Sequence, residues 1–397
     1  MNGDKKIKIS RTVVILSVVS LLTDISSEML YPVMPVYLKS IGFSALIIGL
    51  LEGFAEATAG LSKGYFGLFS DRTGKRVPFV RLGYFFSSIS KPMLALFQFP
   101  LWVFLARGLD RLGKGVRTSA RDAILSAESA PETKARIFGF HRAMDTAGAM
   151  LGPLAALVFL YFLPDNFRLL FLIAFIPGII GVMITFILKD KNIIPNPSVR
   201  SAGFFSFLKY WKISDSRFKR LVPALLFFTL INSSDIFLLL MVKQAGYSNT
   251  EVISAYIFYN FVYAVFSYPA GMLADKLGYK KVFIIGTLVF SAVYAGMAMN
   301  PSLTVIFILF FFYGIYASST ESISKAWITK VSKKEDTATA IGFYTGLGSV
   351  FTMLASFTAG LLWSSISPSA AFIYSSAGAV VTVLYVFVFV KYDHNGK

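Results

Sequence analysis

Apolar runs of about twenty residues follow one another along this chain from residue 12 almost to its end. An α-helix rises about 1.5 Å per residue, so each run is long enough to cross roughly 30 Å of hydrocarbon. Within hydrocarbon every backbone donor and acceptor must find an internal partner, which leaves only helices and closed β-barrels as spanning structures. Barrel strands would appear as short segments of alternating polarity, and the runs here are long and continuous. The expected class is an all-α integral membrane protein. Composition agrees, since 15% of residues are charged against 55% hydrophobic, where a soluble domain carries about a quarter charged.

A formal charge of +17 raises the question of a nucleic-acid partner, and the placement of the charges argues against one. Lys and Arg gather in alternate connections: Lys5, Lys6, Lys8 and Arg11, then Arg72, Lys75 and Arg76, then a dense group from Lys189 to Arg220. The intervening connections carry almost none. Cytoplasmic loops hold the excess of cations in membrane proteins, so both termini are expected in the cytoplasm and the number of crossings is even. The setting this implies is a bacterial cytoplasmic (inner) membrane, with the lipid bilayer and a small-molecule substrate as partners, no nucleic acid, and a chain acting as a monomer. Without cysteine, disulfides and thiolate metal sites do not arise.

Counting runs against the charge rhythm gives twelve helices, at 12–37, 46–69, 78–97, 100–120, 136–162 and 168–188, then 221–242, 251–274, 281–299, 302–324, 337–362 and 368–390. The expected organisation is a six-helix bundle over 1–188, a cytoplasmic linker over 189–220 and a second six-helix bundle over 221–397. The linker holds Pro195, Pro197 and the basic, aromatic stretch "GFFSFLKYWKISDSRFKR", which reads either as an interfacial helix or as a plain connector. An internal repeat supports the division. "GLFSDRTGKR" at 67–76 returns 204 residues later as "GMLADKLGYK", "IFGF" at 137–140 returns as "AIGF", and "SSE" at 26–28 returns as "SSD" at 233–235. Parallel repeats of this kind place a transport site between the halves, near the midplane.

Over essentially its full length the chain resembles the major facilitator superfamily, and within it the twelve-helix drug:proton antiporters. The family's loop motif between helices 2 and 3 is matched by Gly67, Leu68, Asp71, Arg72, Gly74, Lys75 and Arg76, with a weaker copy at Gly271, Asp275, Lys276, Gly278 and Lys280. The resemblance implies a latch on the cytoplasmic side, with Arg117 or Arg121 as candidate partners of Asp71. Helix 5 carries Gly139, Gly148, Gly152 and Pro153 at the spacing of the antiporter motif, but Ala156 and Leu157 replace its terminal Gly-Gly. An ordinary small-residue helix contact is the competing explanation. The implied fold is twelve transmembrane helices in two six-helix pseudo-repeats.

Charges inside the membrane are costly and normally face a cavity or a partner. Asp24 lies twelve residues beyond Thr12, about 18 Å into the core, and Glu28 follows one turn later. Glu52 and Glu56 repeat the spacing; Asn232, Asp235, Asp145 with His141 and Arg142, and Glu321 complete the polar set. The opposing cations are Lys63, Lys91, Arg107 and Arg111. In the family, helices 1, 4, 7 and 10 line the cavity, so Asp24, Glu28, Arg107, Asp110, Asp235 and Glu321 would converge there, with Asp145 alongside. The acids either exchange protons against substrate or are permanently neutralised by cations. The repeat pairs Glu28 with Asp235 across the pseudo-twofold axis, whereas Asp24 aligns with Ile231. Residues from Lys114 onward read as cytoplasmic, and His141 as a cap of helix 5 or a relay to Asp145. Tyr256, Tyr259, Tyr263 and Phe266, with Asn260, form a stripe suited to packing or to lining a substrate.

There is no phosphate-binding loop and no nucleophile in a catalytic setting, so an enzyme is not expected. No cofactor is expected either, and a proton gradient would supply the energy. The expected activity is proton-coupled antiport by alternating access, exporting an amphipathic or cationic organic compound. The alternatives are a symporter or exchanger of a small anionic metabolite using Arg107 and Lys91, and a lipid or lysolipid translocator.

Overall fold

The computed structural model describes residues 9–31, 33–43, 45–164, 166–190, 203, 205–247, 249–299 and 301–390. Pro195 and Pro197 of the linker lie outside the described residues, as do the side chains of Glu52 and Glu56. No strand occurs among the described residues. The helices are α1 (Arg11–Glu28), α2 (Met34–Ser40), α3 (Ala45–Thr73), α4 (Val77–Leu96), α5 (Pro100–Ala127), α6 (Lys134–Phe162) and α7 (Phe167–Thr185). After the linker come α8 (Tyr210–Ile213), α9 (Ser216–Ile231), α10 (Ile236–Gln244), α11 (Asn249–Leu277), α12 (Tyr279–Met297), α13 (Leu303–Val331), α14 (Thr337–Ser365) and α15 (Pro368–Phe389). Eight spans among the described residues are long and apolar enough to cross a membrane, beginning with Pro131–Phe162.

Local chemistry sets where these helices start. Ser10 accepts from the Val13 N–H at 3.3 Å and Asp215 from that of Arg217 at 2.8 Å, each satisfying an N–H that the first turn leaves without a partner. Proline stands in the first turn of α4, α5 and α15, where a missing N–H costs nothing. At the other end, Gly74 and its repeat Gly278 have φ of 65° and 95°. This left-handed conformation lets the chain leave one long helix and enter the next within a few residues.

Two expected rods are interrupted. The run at 12–37 is helical to Glu28, turns over 29–31, and resumes as α2; that at 221–242 breaks over 232–235, between α9 and α10. Both breaks adjoin the repeated Ser-Ser-acid triplets, and Asn232 is extended there, with φ −90° and ψ 92°. Two aromatic residues of the linker pack onto the bundle. Phe207 is fully buried against Gly64 of α3, and Trp211 stacks on Phe343 of α14 at 6.0 Å between centroids. The halves meet chiefly along α6 with α11 and α3 with α14.

Candidate functional site

The two acids of the first helix and the glycines of the sixth form one feature. A Cβ built on Gly148 would lie 2.7 Å from the Leu21 carbonyl and 2.9 Å from Asp24 Cβ; one on Gly152 would lie 2.8 Å from the Ile25 carbonyl and 2.9 Å from Glu28 Cβ. Helix α6 can therefore approach α1 this closely only because these positions lack side chains. Pro153 is carried within α6 without breaking it. Asp24 and Glu28 stay partly exposed, and neither has a hydrogen bond or ion pair among the described residues. The charges whose fields reach Asp24 are Asp145, Lys114, Arg117 and Glu28; those reaching Glu28 are Lys114, Arg111, Asp110 and Lys91.

The helix expected at 100–120 runs on as α5 to Ala127, and Lys114 is an exposed residue of its interior whose charge acts on both acids. Its neighbours Gly113 and Gly115 account for this: they pack against Ser87 of α4 and Ser62 of α3, turning Lys114 away from both helices.

Most other acids are matched by cations. Lys91, almost wholly buried, sits 2.7 Å from Asp110 and donates to Ser27 at 3.1 Å, with Arg107 4.0 Å from the same carboxylate. Asp122 of α5 is gripped by Arg121 at 3.0 Å and by Lys325 of α13 at 2.8 Å. Arg142 of α6 lies 2.6 Å from Glu321 of α13 and 3.9 Å from Asp145, and it donates to the Tyr263 hydroxyl. Where solvent is excluded, as around Asp110 and Asp122, such pairs hold strongly once formed, and losing one partner strands the other. His141 is two turns inside α6, buried between Ser17 at 3.3 Å and Asp145 at 3.6 Å, so it is not a cap.

Asp235, at the start of α10, accepts from the Tyr313 hydroxyl at 2.6 Å. Tyr313 belongs to a cluster that periodicity in one helix could not reveal. Tyr259 lies 4.9 Å from it, Tyr316 5.2 Å and Tyr294 6.2 Å, drawn from α11, α13 and α12. Tyr259 and Tyr263 are buried in this packing, whereas Tyr256 is only partly covered and feels the charges of both Glu28 and Asp235. Asn260 donates to the Tyr256 carbonyl of its own helix. Beside this cluster a cleft of about 250 Å³ opens between α9, α13 and α14, with Asn232, Glu321, Lys325 and Lys63 among its walls.

At the end carrying the basic connections, the repeated loop motif clasps the halves together reciprocally. Asp71 accepts from the Thr339 N–H at 2.7 Å and hydroxyl at 2.9 Å, at the start of α14. Asp275 accepts from the Ala135 and Arg136 N–H groups at 2.9 and 2.8 Å, at the start of α6. Gly67 abuts Ala338, and Gly271 abuts its repeat equivalent Ala135. The expected partners of Asp71 were Arg117 or Arg121, and this is corrected. Asp71 pairs at 3.2 Å with Arg76, which also donates to the Ala123 carbonyl. The turn at Gly74 folds the chain back so that Arg76 lies over the end of α3. Arg117 instead donates to Ser87 and covers the Tyr84 ring, Arg121 is held by Asp122 and Ser20, and Arg72 points outward. The burial of Asp71 is offset by these donors. The polar contacts described between halves all lie toward this end of the bundle.

Sequence and fold comparisons agree on what this architecture is. The Major Facilitator Superfamily profile matches residues 16–259 and 221–397. An uncharacterised MFS-type transporter of Methanocaldococcus jannaschii is 37% identical over 390 residues, covering 96% of each chain. The quinolone resistance protein NorA of Staphylococcus aureus is 27% identical over 122 residues, 31% of each chain. Among solved structures, the human organic anion transporter MFSD10 superposes with a TM-score of 0.80 at 14% identity, over 95% of this chain and 99% of that one. The chain is an integral membrane transporter belonging to the Major Facilitator Superfamily.

Proposed function

We propose that this transporter is a proton-coupled antiporter that exports an amphipathic or cationic organic compound, with the proton gradient as its energy source. The observation that carries the reading is the seating of Asp24 and Glu28 on Gly148 and Gly152. Asp24 and Glu28, partly exposed and without an ion pair among the described residues, stand on the two glycines of the antiporter-like motif, while Asp110, Asp122, Asp145 and Glu321 are matched by cations. A carboxylate of this kind binds either a proton or a cationic substrate, and that competition is what exchange requires. The local similarity to a quinolone resistance protein supports the same direction.

The basic end is assigned to the cytoplasm on the charge rule, which makes the clasped arrangement the outward-facing member of the cycle. The anion-carrying alternative loses its contacts, since Lys91 and Arg107 are both turned to Asp110.

The test is reconstitution in liposomes with an imposed pH gradient. Substrate and protons should move in opposite directions. Asp24→Asn and Glu28→Gln should each reduce gradient-driven transport to background while counterflow exchange persists. Proton movement in the same direction as substrate would establish symport, and undiminished pumping by both variants would make the acids structural.

A further inference from the structure

The segment that joins the two bundles has two unlike faces. Phe207, Tyr210 and Ser214 are buried at helical spacing across the short 3₁₀ turn Ser206–Lys209 and α8. This inner face straddles the seam between the halves. The Phe207 ring fills the notch over Gly64 of α3, where a Cβ would lie 2.6 Å from it. Tyr210 and Trp211 lie against Phe343 of α14, at 6.5 and 6.0 Å between centroids. The outer face is apolar and basic together. Phe205 and Ile213 are 57% and 62% exposed, and Leu208, Lys209 and Lys212 are exposed beside them. From 209 to 220 there are five cations against one acid, Asp215, which caps α9 and pairs with Arg217. Water is a poor setting for so much apolar surface. Rings and aliphatic chains interleaved with lysines suit a headgroup layer, where the chains sink toward the acyl region and the cations reach the phosphates. The depth agrees. Tyr65, next to Gly64, packs with Phe66 and Phe69, and these with Phe79 of α4, a ring cluster of the kind that marks the membrane–water boundary.

We propose that the outer face of residues 205–213 binds anionic phospholipid headgroups, and that this binding holds the basic end of the transporter closed. Charge selects the lipid. Zwitterionic headgroups present no net field to Lys209 and Lys212, whereas each cation at an anionic surface gains about fivefold in affinity. The inner face supplies the coupling. When α3 and α14 part, the linker must leave one of them, and a segment pinned to headgroups beside the seam resists that movement. The inference is independent of antiport and holds whatever the cargo or the coupling ion.

Full-length protein in nanodiscs of phosphatidylcholine, and of equal parts phosphatidylcholine and phosphatidylglycerol, puts both statements to the test. Contact is read from a fluorophore on Ile213→Cys, in a chain with no other cysteine, quenched by a spin label on the lipid headgroup. Closure is read, in a separate variant, from the distance between spin labels on Thr73→Cys and Leu277→Cys, exposed at the basic ends of α3 and α11. Phosphatidylglycerol should deepen the quenching and raise the ratio of closed to parted molecules about fivefold, the worth of one surface cation. Lys209→Gln together with Lys212→Gln should cancel both effects at an unchanged unfolding temperature, since both side chains are exposed. Trp211→Ala should keep the quenching and weaken the closure, because it loosens the hold on α14 and leaves the cations in place. Equal quenching in the two lipids, or quenching that survives loss of both lysines, would overturn the lipid site. A closed fraction indifferent to phosphatidylglycerol, or a response undiminished in Trp211→Ala, would overturn the coupling.

Discussion

A glycine carries the contact on which the two acids depend. At Gly148 the nearest atoms to an added Cβ are a backbone carbonyl and Asp24 Cβ, at 2.7 and 2.9 Å, and neither can swing aside as a long side chain would. Gly148→Val should therefore push α6 off α1, at a cost of about 1–3 kcal/mol typical of overpacking, and displace Asp24 with it. The expected result is a lowered unfolding temperature together with lost transport, with Gly148→Ala intermediate in both. An unchanged unfolding temperature in Gly148→Val would show that the helices are not held at this distance. At this scale the sequence was informative where spacing along one helix decides the contact. Gly148 and Gly152 could be read that way, as could Gly74 with its positive φ. Arg76 could not be singled out from Arg72, Arg117 and Arg121, because the choice depends on how the turn at Gly74 folds back. Tyr313 had no signal at all, since its partner Asp235 lies 78 residues away on another helix.

At the scale of helices, the repeat is expressed as a pair of exchanged caps. Asp71 ends a long helix of the first half and sits on the N-terminus of α14, while Asp275 ends one of the second half and sits on the N-terminus of α6. The unpaired N–H groups and the positive end of the helix dipole favour a carboxylate at both places. Each cap exists only while the halves are together at this end, so each stabilises one state of the cycle. Losing one should cost about 0.5–2 kcal/mol and move the equilibrium toward parting of the basic end. The chain has no cysteine, so a single Thr352→Cys in the cleft gives an unambiguous reporter. Asp71→Asn and Asp275→Asn should each raise its labelling by an impermeant maleimide added on the basic side, and the double variant should raise it further. Unchanged labelling in all three would mean the caps bear only on folding. The repeated loop motif revealed that both carboxylates matter, but their destinations were hidden, because a cap on a distant helix leaves no mark in local sequence. The breaks after Glu28 and at Asn232 did leave a local signal, overridden by the apolar runs around them: Pro32 stands in the first, and Asn232, Ser233, Ser234 and Asp235 are turn and cap formers.

Across the whole molecule, closure of the basic end also engages charges deep in the bundle, and these must separate when the halves part. Asp122 of α5 is fully buried with Lys325 of α13 reaching it from the other half, and Arg142 bridges to Glu321 in the same manner. A buried pair contributes little net stability against an apolar replacement, yet removing a single partner costs about 3–5 kcal/mol because a charge is left unpaired. The pair Asp122–Lys325 therefore works as a switch contact, expensive when Asp122 is the half that is missing. Arg121, 3.0 Å from Asp122 and its neighbour on the same helix, would stay with it when the halves separate, whereas Lys325 would lose its only described carboxylate. The two single variants should accordingly differ. Lys325→Met should be mild, since Arg121 still neutralises Asp122, and should favour the parted state. Asp122→Asn should be severe, leaving Arg121 and Lys325 facing each other across the interface. Adding Lys325→Met to Asp122→Asn should then restore part of the lost stability and counterflow activity, which a thermal unfolding cycle on the four proteins would measure. Additive losses in that cycle would show that Lys325 and Asp122 do not act on each other.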